Sequence, residues 1–190
     1  QDLQKMEAST RGVSQAVIAG GGLIGVEMAE MLHSRDIEVT MLVREPAFWN
    51  NVLPLPEARM ISNHIISHGV KLLQDRELDQ IISDGAGRIK SIRTKRGEEI
   101  QCEFVGITVG VHPNVSWLES SPLKLNQGVL VNEYLETNTP DVYAIGDCVE
   151  RVHALEGRKN IEQVWYTARM MGETVAQTIC GERTQYEPGP

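Results

Sequence analysis

The sequence predicts an α/β fold: a parallel sheet flanked by helices, with an antiparallel β-meander attached. Three observations carry this expectation. An apolar run at residues 16–19 leads through three successive glycines into a helical pattern; a second apolar run, "VTMLV", follows; and from Glu77 onward short β-rich pieces are separated by turn dipeptides.

Taken in order, residues 16–19 read as a buried strand. Residues 23–33 then read as a helix in which Leu23, Val26, Met31 and Leu32 interleave with Glu27 and Glu30. Residues 39–43 are the next strand, which completes a β-α-β unit. Pro54 and Pro56 break the chain before "EARMISNHIISHG", a helix with Pro56 near its first turn and Gly69 as its stop. Residues 70–73 are a third strand. "ELDQIISD", "RIKSIRTK" and "EEIQCEFVGITV", divided by Asp84 and Gly85 and by Arg96 and Gly97, predict two successive hairpins. Beyond Pro113 the pattern becomes a polar loop, a short strand "GVLVN", a turn at Thr139 and Pro140, a strand "VYAIG" at residues 142–146, and a last helix over residues 161–180. The tail "YEPGP" reads as an edge or linker.

Length permits a full-sized core. Against 26 acidic residues stand 18 basic ones, and the formal charge of -8 argues against a protein that grips nucleic acid or anionic lipid, because counterion release needs a basic face. Small molecules or proteins are the expected partners. No stretch is long and apolar enough to span a membrane, and "QDLQKMEASTRG" has neither the basic start nor the apolar run of a secretory signal. The expectation is a cytoplasmic segment cut from something longer. Cys102, Cys148 and Cys180 are widely spaced and form no Cys-x-x-Cys, so they read as reduced structural thiols. His64 and His68 share a helix face at i, i+4, half of a metal pair, but no third ligand follows at suitable spacing; no metal site is expected.

Gly20, Gly21, Gly22, Leu23, Ile24 and Gly25 spell G-x-G-x-x-G. The string alone is weak evidence. Its position after a strand and at the opening of a helix makes it a Rossmann-like dinucleotide turn: Gly20 for the tight bend, Gly22 for the approach of a pyrophosphate, Gly25 for helix–strand packing. The helix start offers free N–H groups and a positive dipole end. At the end of the second strand an acid suits the 2′-hydroxyl of NAD and an arginine the 2′-phosphate of NADP. Both stand here, in Val43, Arg44 and Glu45. With Val43 as the last strand residue, Arg44 lies next to the adenosine ribose, which favours NADP(H) over NAD(H); Glu45 rotating inward would favour the reverse.

A second signature, "TNTPDVYAIGDC", places Gly146 and Asp147 after an apolar strand. Asp147 there is a carboxylate at a ligand-accessible strand end, or only a turn former. Together with "VIAGGGLIGVEMAEML" and the middle element "VGITVGVHPN", this order of motifs resembles the FAD-dependent pyridine nucleotide-disulfide oxidoreductase superfamily, in particular its rubredoxin-reductase, nitrite-reductase-like and coenzyme A-disulfide-reductase-like members. The resemblance runs over nearly the whole chain, from about Gln15 to Gly181.

The resemblance implies a Rossmann-like NAD(P)H-binding domain over residues 1–112, followed over residues 113–190 by the C-terminal part of a second, FAD-binding Rossmann-like domain. It implies that Gly110 lies at the return crossing, that Asp147 beside Gly146 holds the ribityl chain of FAD, and that Glu27 stands near nicotinamide and flavin, where plain helix polarity is the alternative. Trp165 resembles an aromatic near the flavin ring, or is core packing of the last helix. Leu23 replaces an aromatic gate found in disulfide-reducing relatives. Only one G-x-G-x-x-G is present: Gly85, Ala86 and Gly87 lack the third glycine and fall in a predicted turn. The implied function is a fragment of a flavoprotein that passes hydride from NAD(P)H to FAD and on to a disulfide, a redox protein or a small acceptor. The parent is expected to be homodimeric and the fragment alone inactive. Two other classes compete: a non-catalytic NAD(P)-sensing module, and a flavin-free dehydrogenase, which Tyr166 followed by Met170 rather than lysine disfavours.

Overall fold

Residues Gln15–Ala19 form β1, whose last four residues are buried on both faces, which is why they read as an unbroken apolar run rather than an alternating one. The computed structural model describes residues 2–153 and 159–189. In it β1 pairs in parallel with β2 (Glu38–Leu42) on one side and with β7 (Phe104–Ile107) on the other; β3 (Lys71–Leu73) completes a four-stranded sheet of order β3-β2-β1-β7. The period of two then sorts side chains by face. Ala16, Ile18, Val39 and Met41 join Ala29, Leu32 and Ile65 of the helices in one core, whereas Val17 and Leu42 point the other way.

Helix α1 (Asp2–Ser9) precedes the sheet, and the sequence reading passed over it because its eight residues carry no apolar stripe. Its close is local: Thr10 Oγ1 donates to the Met6 carbonyl at 3.0 Å. Helices α2 (Leu23–His33) and α3 (Leu55–Ser67) supply the crossovers. In α3 the predicted punctuation holds, with proline in the first turn and Gly69, at φ 87°, closing the helix through a bond from its N–H to the Ile66 carbonyl. The loop before α3 is tied down by buried Ser62, whose hydroxyl donates to the Ala58 carbonyl and accepts from the Phe48 N–H.

The meander consists of β4 (Leu78–Ser83), β5 (Ile89–Thr94) and β6 (Glu99–Gln101), antiparallel in that order. It covers the second face of the parallel sheet, where Ile92 and Cys102 close over Val17 and Leu42. Asp84 shapes the first turn by accepting the Ala86 and Arg88 N–H groups, which hold its carboxyl below the usual range. The run read from sequence as one β piece, "EEIQCEFVGITV", is two strands in two sheets: it leaves the meander at Cys102 and enters the parallel sheet as β7. Both halves are β-prone, so propensity alone could not show the change of partner.

The chain divides into compact units Gln1–Gly110 and Val111–Pro190. In the second, β8 (Val129–Val131) and β9 (Val149–Arg151) pair in parallel, and α4 (Trp165–Ile179) contributes Met171 and Val175 to a core with Val131, Leu135, Val149 and Tyr186. Two expectations are corrected here. The strand predicted at residues 142–146 is absent as a strand, because that segment makes a single bridge, Tyr143 with Glu136, and no ladder. The last helix begins at Trp165 rather than at residue 161, since Val164 before it is still extended. No helix among the described residues is long and apolar enough to cross a membrane.

Buried Glu150 organises this unit. Its carboxylate accepts Asn126 Nδ2 and the Gln127 N–H at 2.8 Å and the Gly128 N–H at 2.9 Å. Glu150→Ala strands those donors, two of them backbone groups, and is expected to cost about 2–3 kcal/mol. Hydrogen exchange should show the loss across β8 and β9 while protection of β1 and β2 is unchanged.

Candidate functional site

The carboxyl ends of β1, β2 and β7 meet at Gly20. Its N–H donates to the Leu42 carbonyl at 3.0 Å, and beside it the Thr108 N–H donates to the Ala19 carbonyl at 2.8 Å. Gly20 lies at φ 130°, and a side chain there would collide with the Thr108 carbonyl. At Gly25 a Cβ would stand 2.5 Å from the Gly20 carbonyl and 2.8 Å from Thr108 Oγ1. Gly21 is packed too, 3.0 Å from Val43 Cγ1 by the same construction. Gly22 differs. Nothing lies within 4 Å of where its side chain would be.

Gly22 is also the cap of α2, and no described side chain caps it. The first intrahelical bond runs from the Val26 N–H to the Gly22 carbonyl at 3.2 Å, so the amides of Leu23, Ile24 and Gly25 have no partner within the helix. Leu23 is 60% exposed and Ile24 is exposed beside it, an apolar lip next to free donors. Such a corner can receive an anion against backbone amides and the positive end of the helix dipole. Glu27, a turn further along, is exposed.

Beyond the end of β2, Val43 is buried and Arg44 turns outward. Its Nε donates to Glu45 Oε1 at 2.8 Å, and the side chains are 73% and 21% exposed, so the carboxylate is the anchored partner and the guanidinium the outer one. That bond, and then the Glu45 charge, raise the Arg44 pKa further. Both candidate ribose contacts are therefore engaged with each other.

In the second unit Gly146, Asp147 and Cys148 form a single 3-10 turn leading into β9. Asp147 accordingly sits in a turn before a strand, not at the end of one as the sequence predicted; the preceding segment makes a single bridge, Tyr143 with Glu136, and no ladder. Gly146 takes φ 79°, and its N–H points to Met171 Sδ at 3.4 Å. The Asp147 carboxylate is exposed. Trp165 is 66% exposed with its ring edge-on to Tyr166 at 5.0 Å, so it is not packed in the core as one of its two expected roles required. Gly110 takes φ 130° with open space around it, at the boundary between the units.

Sequence reasoning missed a cavity of about 740 Å³ within the second unit, lined among others by His112, Gln127, Glu162, Tyr166 and Met170. His112 lies in the quoted middle element and Tyr166 follows Trp165, but nothing in their spacing shows that they line one hollow. Among the described residues no group of His, Cys, Asp or Glu has the arrangement of a metal site, and all the cysteines are free. Burial pushes the Cys102 thiol up to about 11 and raises that of Cys148, so neither is a ready nucleophile.

Residues 1–172 match the family described as pyridine nucleotide-disulphide oxidoreductase. The chain belongs to that family. Over 150 residues it is 29% identical to the NAD(P)H nitrite reductase of Bacillus subtilis, which covers 79% of this chain and 18% of that protein. An NADH oxidase of Methanocaldococcus jannaschii is 25% identical over 178 residues, 93% of this chain and 39% of its own. Among solved structures, a NAD-dependent persulfide reductase from A. fulgidus superimposes with a TM-score of 0.85 and 28% identity, over 98% of this chain and 34% of that one. The chain thus spans less than half the length of these pyridine nucleotide-disulphide oxidoreductase relatives.

Two substitutions separate packing from openness at the glycine corner. Gly25→Ala forces its methyl group onto backbone and should lower stability by about 1–3 kcal/mol. Gly22→Ala, at an extended backbone with free space, should leave it within about 0.5 kcal/mol. Urea unfolding of the two proteins side by side checks the contrast.

Proposed function

We propose that this chain binds a pyridine nucleotide at the amino end of α2, NADP(H) in preference to NAD(H), as part of an FAD-dependent oxidoreductase. That enzyme moves hydride from the nucleotide to flavin and then to a disulfide, a redox protein or a small acceptor. The observation that supports the site is the contrast among its glycines: Gly20 and Gly25 are closed by backbone, whereas Gly22 faces open space beside unpaired amides. The relatives' names mention both NADH and NAD(P)H. In this chain the exposed guanidinium of Arg44 is what favours the 2′-phosphate, a dianion that accepts charge-assisted bonds from a planar fork.

In this reading the amides of Leu23, Ile24 and Gly25 hold the pyrophosphate and fix the direction in which the nucleotide leaves the helix. Leu23 and Ile24 keep water from its flank, and Glu27 orients the nicotinamide end. The second unit fits part of a flavin site. Asp147 offers an exposed carboxylate to hydroxyl donors, Gly146 bends the chain where a side chain would be strained, and the first turn of α4 presents Trp165 to solvent. Flavin, when bound, supplies the ability to take up a hydride and hand on its electrons; the chain contributes position and exclusion of water. On the sequence resemblance, the parent in this reading is a homodimer of the cytoplasm.

Isothermal titration of the chain with NADP⁺ and NAD⁺ should show tighter binding of NADP⁺. Arg44→Ala should abolish that preference by weakening NADP⁺ about tenfold or more, and Gly22→Val should weaken both nucleotides by about tenfold while the protein stays folded. With one G-x-G-x-x-G in its sequence, the purified chain should lack the visible absorbance of tightly held flavin. Equal affinities throughout would remove the NADP(H) preference; a yellow protein with stoichiometric flavin would overturn the partial flavin site.

A further inference from the structure

The loop carrying Arg44 does not stand alone. The Val43 N–H donates to the Leu73 carbonyl, the Val43 carbonyl accepts the Arg76 N–H at 3.0 Å, and the Glu45 carbonyl accepts the Asp75 N–H at 3.2 Å. Residues 75–77 are thereby laid alongside residues 43–45. They are in turn the entry to the meander: the Lys95 N–H donates to the Glu77 carbonyl at 3.0 Å, and Lys95 Nζ donates to Glu77 Oε2 at 2.7 Å. Arg76 is occupied by Glu98. Two carboxylates act on Arg44, Glu45 in direct contact and Glu77 from the neighbouring strand entry, and of these two Glu77 is paired with a further cation, Lys95.

We propose that Lys95, a residue of the meander, is a specificity-determining residue for the nucleotide because it neutralises Glu77 beside the Arg44 subsite. The inference rests on the reading that Arg44 faces the 2′-phosphate of NADP(H). A bare Glu77 carboxylate would draw the Arg44 guanidinium away and repel an arriving phosphate; with Lys95 in place, Glu45 dominates the local field at Arg44 and Glu77 adds a smaller part. NAD(H), with a neutral 2′-hydroxyl, is indifferent to that change. Consistently, Glu77 is held below the usual carboxylate range, first by its hydrogen bond to Lys95, then by the Lys95 charge, with a smaller lowering from Arg44. Glu77 and Lys95 are each about half exposed, so the coupling acts through solvent and is modest in size.

The test compares dissociation constants of NADP⁺ and NAD⁺ for the chain, for Lys95→Met and for Lys95→Met combined with Glu77→Gln. In dilute buffer Lys95→Met should weaken NADP⁺ about threefold and leave NAD⁺ unchanged. The double variant should recover the parental affinity for NADP⁺, and 0.5 M NaCl should erase the differences. A Lys95→Met protein that binds NADP⁺ as well as the parent, or weakens both nucleotides alike, or is not rescued by Glu77→Gln, overturns the inference while leaving the binding site standing. Failure of the parental chain to bind either nucleotide overturns the site and this inference with it.

Discussion

The first unit depends on one close approach of backbones. Gly20 at the end of β1, Gly25 in the first turn of α2 and Thr108 just past β7 come so near that two of the three positions exclude a Cβ. Because the contact is main chain on main chain, it fixes the start of α2 against the carboxyl edge of the sheet more rigidly than side-chain packing could. Everything proposed for the amide corner follows from that fixed direction: the helix enters at one angle, and its unpaired N–H groups point to one place. Gly22, excused from the contact, keeps open space beside those amides.

The sheet is also closed from two different sides by two different devices. Helices α2 and α3 cover Ile18, Val39 and Met41, while the meander covers Val17 and Leu42 through Ile92 and Cys102. A strand buried on both faces needs both covers, so the meander is structural before it is anything else. Its attachment point, however, is the loop after β3, hydrogen-bonded to the loop after β2 that bears Arg44. The same backbone bonds that seat the meander therefore bring its charges to the edge where the ribose end of a nucleotide would lie.

How much of this could be read from the sequence depended on whether the signal was local. Helices α2 and α3 were legible because their apolar spacing and, for α3, a proline in the first turn and a glycine just past its end are local in sequence. The glycine corner was legible because its meaning depends on neighbours in sequence. What was not legible depended on partners far along the chain. "VYAIG" has the composition of a strand, yet a strand exists only with a ladder, and Tyr143 finds one bridge. "EEIQCEFVGITV" is β throughout, but its division between two sheets is decided by Lys90 and Gln15, whose carbonyls accept the N–H groups of Cys102 and Glu103. The cavity bounded by His112 and Tyr166 joins residues more than fifty apart, and the Arg44–Glu45 pair, though adjacent, hid which of the two would be the exposed one.

A chain of formal charge -8 presents an opposing long-range field to any polyanion, so recognition of one would have to be built from short-range groups. At physiological ionic strength the screening length is about 8 Å, so exposed charges farther than that from the glycine corner act on it weakly, while charges within one residue's reach do not. Backbone amides carry no counter-charge to be neutralised by neighbours, and they would serve a pyrophosphate whatever surrounds them. Arg44 is different. Its usefulness depends on the carboxylates beside it, Glu45 by contact and Glu77 by proximity, and hence on whether each of those is already occupied. Were Arg44 to meet a nucleotide's phosphate, its discrimination would turn on how far those anions are balanced: Glu45 holds the guanidinium directly, and Glu77 is paired with Lys95 of the meander.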